Sequence, residues 1–211
     1  MSGRVIAVGD IHGCSKALST LVDALELQSD DMLIGLGDYV DRGPDSRGVL
    51  DQLIALSRRC QLVPILGNHD QLMLRSRDGD EQFRDWMSSS GDVALSSYGS
   101  TGTLNQIPAE HFRFLEQCLS YFETRSHLFV HANYKPELPL DQTDDYTLRW
   151  LSLRVSVPGP HYSGKIAVMG HTPQNGVLDL GHLICLDTGC CYGRILTAMD
   201  MVSGQFWQAE E

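Results

Sequence analysis

Three short apolar runs in the first third of the chain each end in a glycine followed by a side chain with metal-ligand chemistry. Val5-Ile6-Ala7-Val8 leads into Gly9-Asp10-Ile11-His12-Gly13. Met32-Leu33-Ile34-Gly35-Leu36 leads into Gly37-Asp38-Tyr39-Val40-Asp41-Arg42-Gly43, and Leu62-Val63-Pro64-Ile65-Leu66 into Gly67-Asn68-His69-Asp70. Near-continuous apolar runs of this length read as strands buried on both faces. In open α/β sheets polar groups gather beyond the carboxyl ends of such strands. Three exits within about sixty residues therefore aim at one shared polar point. The intervening segments carry helical spacing, with Ala17, Leu18, Leu21, Val22 and Leu25 in the first. Val49, Leu50, Leu53, Ile54 and Leu56 form a stripe in the second, which Pro44 opens. Residues 3–66 thus predict β-α-β-α-β and a parallel sheet with right-handed crossovers.

Residues 70–119 read as a helical insertion beside this point, with helices over 71–77, 81–87 and 108–119. The small, polar loops at 88–91 and 98–103 are expected at a substrate rim. Short β-rich runs follow at 121–124, 127–131, 166–169, 183–186, 196–199 and 205–207. Gly181-His182 and Ser203-Gly204 suggest hairpins. Residues 132–163 are rich in Pro and Asp, apart from a helix expected over 146–153, and are assigned to the rim as well. The whole predicts an α/β fold: two mixed β-sheets packed as a sandwich, flanked by α-helices, with residues 1–211 as a single domain.

The donor chemistry is specific. Asp10 and His12 sit two apart, so in extended chain both point to the same side. Asp38 adds a carboxylate whose two oxygens can bridge two cations, and Asn68 adds a neutral carbonyl oxygen. His131 and His171 each repeat the pattern of an apolar run followed by a ligand. Oxygen and imidazole donors of this kind suit Mn, Fe or Zn. The remaining histidines, His111, His127, His161 and His182, lack that context and are expected to be structural or on the surface. A binuclear metal centre that hydrolyses phosphate esters is the chemistry these donors point to.

Composition narrows the partners. A net charge of −11 argues against a broad nucleic-acid surface, while bound cations would reverse the sign locally for an anionic substrate. The six cysteines form no CxxC pair, which favours free thiols in a reducing compartment. Neither a signal core nor an 18-residue apolar span is present, and Ser2 stands where myristoylation needs glycine. A cytoplasmic protein without a membrane partner is expected.

The ordered series Gly9-Asp10-Ile11-His12-Gly13, Gly37 to Gly43, Gly67-Asn68-His69-Asp70, His131 and Gly170-His171-Thr172 resembles the signature of the phosphoprotein phosphatases. These belong to the calcineurin-like metallophosphoesterases, and the length is similar to that of small bacterial and phage members. The resemblance implies two divalent metal ions per chain, manganese first, with iron or zinc as alternatives. Asp10, His12 and Asp38 would hold one. Asp38, bridging, with Asn68, His131 and His171 would hold the other. It implies attack on phosphorus by a hydroxide activated between the metals, in line with His69 as general acid. Asp41 would orient His69. Arg42, Asn68 and Arg149 would hold phosphate oxygens, and Tyr192 would stand at the rim. Asp70 departs from the glutamate that many relatives carry. The implied activity is protein serine/threonine phosphatase, acting on a phosphorylated protein or peptide. The alternatives are a symmetrical dinucleoside polyphosphate hydrolase or a broad phosphoesterase acting on a phosphorylated small molecule.

Overall fold

The fold is taken from a computed structural model that describes residues 3–211; Met1 and Ser2, with the reading of Ser2, lie outside them. The strands are β1 (Val5–Val8), β2 (Met32–Gly35), β3 (Gln61–Pro64), β4 (Tyr121–Glu123), β5 (His127–Val130), β6 (Ile166–Met169), β7 (Leu178–Asp179), β8 (Leu183–Cys185), β9 (Ile195–Asp200) and β10 (Phe206–Glu210). The helices are α1 (Ser15–Leu25), α2 (Ser46–Leu56), α3 (Asn68–Arg75), α4 (Asp80–Trp86), α5 (Asp92–Ser97), α6 (Ala109–Glu116) and α7 (Asp145–Arg149). Among the described residues no helix is long and apolar enough to cross a membrane.

Two five-stranded mixed sheets form, in the orders β10-β9-β1-β2-β3 and β4-β5-β6-β8-β7. The parallel core of the first is β1-β2-β3, with β9 antiparallel to β1. The second has β5-β6-β8 parallel, with β4 and β7 antiparallel at its edges. Side-chain alternation decides how the layers stack. Ala7, Ile34 and Ile65 from one sheet meet Phe129, Val168 and Ile184 from the other, forming the interior of the sandwich. The opposite face of the first sheet, through Ile6, Val8 and Leu33, packs on α1 and α2. That of the second, through Leu128, Val130, Ala167 and Met169, packs on Tyr134, Leu140 and Leu148.

Local departures from the expected pattern have local causes. Helix α2 begins at Ser46 rather than at Pro44, because the Asp45 side chain accepts the Gly48 N–H at 2.8 Å and caps it. The stretch 98–103 is irregular as expected, but 92–97 is helical and packs Ala94 and Leu95 into the core. The helix expected over 146–153 stops at Arg149. Strand β7 is only two residues long and carries too little pattern to be seen in sequence. The hairpin turns do contain glycines in the left-handed region, Gly181 at φ +81° and Gly204 at φ +74°.

Candidate metal centre

The carboxyl ends of β1, β2, β3, β5, β6 and β8 open onto one buried pocket of polar side chains. Asp10 and His12 follow β1, Asp38 follows β2, Asn68 and His69 open α3 after β3, His131 follows β5, and His171 follows β6. All are buried except His171, which is half-buried. The loops are knitted by backbone: the Ile11 and His12 N–H groups donate to Asp38 O at 3.1 and 2.7 Å, and Gly13 N–H donates to Tyr39 O at 2.9 Å. Five non-glycine residues here lie in the left-handed region, His12, Asp38, Asp41, Arg42 and His171, with φ between 44° and 69°. Each such residue stores conformational strain that surrounding contacts must hold. Gly37 is needed at φ +97°, where a Cβ would come within 2.7 Å of Gly67 N and His131 Nδ1. That close approach is what lets the second and third loops and His131 share one centre.

The proton positions are set by the surroundings. His12 Nδ1–H donates to Val40 O at 2.8 Å, His131 Nδ1–H to Leu36 O at 2.7 Å, and His171 Nε2–H to Trp150 O at 3.1 Å. A carbonyl can only accept, so the other nitrogen of each ring presents a lone pair to the centre. His12 Nε2 lies 3.2 Å from Asp38 Oδ2, and His131 Nε2 lies 3.5 Å from Asp38 Oδ1. Asn68 Oδ1 is 3.0 Å from both His131 Nε2 and His171 Nδ1. Acceptors thus face acceptors, an arrangement that a bound cation would satisfy.

Two sets have donor atoms within 4.8 Å of one another: His12, Asp38 and His69, and Asp38, His131 and His171. Asp38 belongs to both, so its carboxylate could serve two cations. Burial lowers the pKa of His131, and that of His171 to about 4, which favours the neutral imidazole that ligates metal. Asp10 is pushed well up by burial and by the charges of Asp187 and Asp38. Buried carboxylates crowded in this way are what a divalent cation relieves. The residues present therefore fit a binuclear site.

Asp10 lies outside both sets; each of its oxygens accepts the His171 backbone N–H at 3.0 Å, beside the centre. His69 Nδ1 is 2.8 Å from Asp41 Oδ2, and Trp86 Nε1–H donates to Asp41 Oδ1 at 3.0 Å. Burial drives both members of the His69–Asp41 pair toward neutrality, His69 down and Asp41 up, so one proton is held between them. Asp70 accepts the backbone N–H groups of Asp38, Tyr39 and Gly67 at 2.8, 2.9 and 3.0 Å, splinting two ligand loops. Arg42 Nη1 approaches His12 Nε2 at 3.3 Å and donates to Tyr192 Oη at 2.6 Å.

Arg149 is not brought to this point. It is buried, with Nη1 2.8 Å from Asp145 Oδ1 and Nη2–H donating to Ser120 Oγ at 2.7 Å. The cleft over the centre has a volume of about 420 Å³ and is lined instead by Arg42, Arg154, His171, Tyr192 and Arg194, among others. The rim loops at 88–103 do not line it. Two residues of the centre escaped sequence reading. Asp187 follows Leu183–Leu186, the same apolar-run pattern as the candidate ligands, and is buried beside Asp10 and Asp38; burial raises its pKa to about 6. Trp86 carried no signal beyond that of an ordinary core tryptophan. His111 is structural, bonded to Tyr98 Oη and Asp51.

Residues 3–198 match the family model described as calcineurin-like phosphoesterase. The chain is 29% identical to serine/threonine-protein phosphatase 1 of Salmonella typhimurium, covering 92% of this chain and 90% of that one. It is 26% identical to the symmetrical bis(5'-nucleosyl)-tetraphosphatase of Bordetella pertussis, covering 94% and 92%. A solved structure of a proposed diadenosine tetraphosphatase superposes with a TM-score of 0.76 at 26% identity, covering 99% of this chain and 94% of that one.

Proposed function

The chain belongs to the calcineurin-like phosphoesterases, and on that premise we propose that it is a protein serine/threonine phosphatase, with manganese in both metal positions. Phosphoester hydrolysis at a binuclear divalent centre is the family's chemistry, and the His/Asp sets of this chain fit it. Two cations held there supply the positive charge that acidifies water and offsets charge on the phosphoryl group in transfer. The chain's own residues do the rest. The Arg42 guanidinium is a planar fork suited to two phosphate oxygens. Asp41, itself fixed by Trp86, keeps His69 Nδ1 occupied and leaves Nε2 to protonate the departing oxygen.

The His69–Asp41 pair is the observation that carries the reading. A serine or threonine alkoxide is a strong base and leaves slowly unless it is protonated, whereas a phosphate leaving from an anhydride needs little help. A buried, oriented proton donor is therefore most useful to a phosphate monoester of an alcohol. The six cysteines, all free, support a reducing cytoplasmic setting. A dinucleoside polyphosphate is the second reading, favoured by the arginines lining the cleft and by the Bordetella relative. Rates on a phosphoserine peptide, a phosphotyrosine peptide and diadenosine tetraphosphate, with manganese supplied, test the choice. A clear preference for phosphoserine is expected; a preference for the nucleotide would overturn it.

A further inference from the structure

The cleft above the centre is cationic on a strongly anionic chain. Net charge is −11 and the neighbouring centre buries Asp10, Asp38, Asp41 and Asp187, yet three arginines converge on the opening, Arg42, Arg154 and Arg194. Among the described residues none of the three has a carboxylate within ion-pair distance, while Arg4, Arg47, Arg77 and Arg149 each do. Arg42 leans toward the centre, its Nη1 lying 3.3 Å from His12 Nε2. Arg154 and Arg194 enter from separate segments, one after α7 and one after the turn Cys190–Tyr192.

The Arg194 side chain is held in place, and the backbone that carries Arg154 is anchored beside it. Arg194 Nη1–H groups donate to Gln174 O at 2.9 Å and to Asn175 Oδ1 at 3.2 Å, and its stem lies beside Gly189, where a Cβ would stand 3.3 Å from Arg194 Cδ. The Arg154 backbone N–H donates to Ser152 Oγ at 3.2 Å, and Ser152 Oγ lies 3.1 Å from Thr172 Oγ1, next to the ligand His171. A preset cation such as Arg194 costs less to order around a ligand than a loose one. A cleft of about 420 Å³ is also more than one phosphate group occupies.

We propose that Arg154 and Arg194 form a second anion subsite, which receives a second anionic group of the substrate, a carboxylate or a phosphate, beside the phosphate being hydrolysed. Resting on the phosphoester reading above, this assigns the substrate class: a phosphopeptide with acidic or phosphorylated neighbours, or, should the nucleotide reading hold, the adjoining phosphates of a polyphosphate. Because the contact is made equally before and during hydrolysis, it acts on KM rather than on kcat.

The test compares kcat/KM for a phosphoserine peptide flanked by glutamates with that for its alanine-flanked twin, in the wild-type chain, in R154Q/R194Q and in R154K/R194K. Diadenosine tetraphosphate against p-nitrophenyl phosphate forms a parallel pair. The wild type is expected to favour the doubly anionic member by about tenfold, the size of two good exposed charge pairs. The preference resides in KM and weakens with salt. It falls toward unity in the glutamine variant and largely returns with lysine. A preference seen only with the nucleotide pair, and removed by glutamine, supports the subsite with a phosphate as its anion while overturning the protein phosphatase reading. An absent preference in both wild-type pairs, or a ratio equal in the wild type and the glutamine variant, overturns the subsite and leaves the protein phosphatase reading to its own panel.

Discussion

At the residue scale the centre is a set of lone pairs whose directions are fixed from behind. His12, His131 and His171 each give one ring proton to a backbone carbonyl, so their orientation survives without a cation. His69 differs, since its ring is tied to the Asp41 carboxylate. Its donor atom nevertheless falls within 4.8 Å of those of His12 and Asp38, and one substitution separates a ligand role from an acid role. His69→Asn is expected to retain about two ions per chain by elemental analysis while turnover of a phosphoserine peptide drops roughly 10²–10⁴-fold. p-Nitrophenyl phosphate, whose leaving group needs no proton, should lose far less. Loss of an ion would make His69 a ligand, and equal losses on both substrates would deny it the acid role. The rule that found the candidate ligands, an apolar run closed by a donor, also applies to Leu183–Leu186 and Asp187, which it could have supplied. Which arginine of the segment after His131 faces the cleft was not legible. Arg149 and Arg154 are five positions apart, and only the end of α7 at Arg149 decides that the first turns to Ser120 and the second to the opening.

At the element scale, strand ends must be held in register for loops to meet. Asp70, in the first turn of α3, collects N–H groups from the β2 and β3 loops. Asp70→Ala strands three buried donors and is expected to cost about 3 kcal/mol in denaturant unfolding; a cost under 1 kcal/mol would show that water replaces the carboxylate. A second clamp lies at the opposite end of β1. Asp31 is buried and takes the Arg4 guanidinium at 2.6 Å together with the backbone N–H groups of Arg4 and Gln28. The Arg4 hydrogen bond holds its pKa down to about 2. A carboxylate depressed in the folded state contributes stability that is complete above the ordinary carboxylate range and is lost as pH falls through about 2. Asp31→Asn should therefore be less stable by about 2 kcal/mol at neutral pH, with the gap closing as the wild type is acidified; a gap independent of pH would contradict the pairing. Strands β1 to β3 were legible because buried parallel strands are written as apolar runs. Strand β7 and helix α5 were not, since one is too short for a pattern and the other sits in a stretch of small polar residues.

At the scale of the whole molecule, the two sheets are what make a centre from distant segments. Asp38 comes from the first sheet, His131 and His171 from the second, and the packing of Ala7, Ile34 and Ile65 against Phe129, Val168 and Ile184 sets their separation. The order of motifs announced the donors, but the joining of two three-residue sets through Asp38 is a property of the sandwich. Substitutions that loosen that interior should weaken metal binding before they unfold the chain. The central claim, that both cations depend on one shared carboxylate, is tested most directly by counting metal in Asp38→Ala. After manganese loading and desalting, the wild type is expected to hold about two ions per chain and to hydrolyse p-nitrophenyl phosphate. The variant, folded by circular dichroism, is expected to hold fewer than about one and to be inactive. A variant that keeps both ions and its activity would contradict the account.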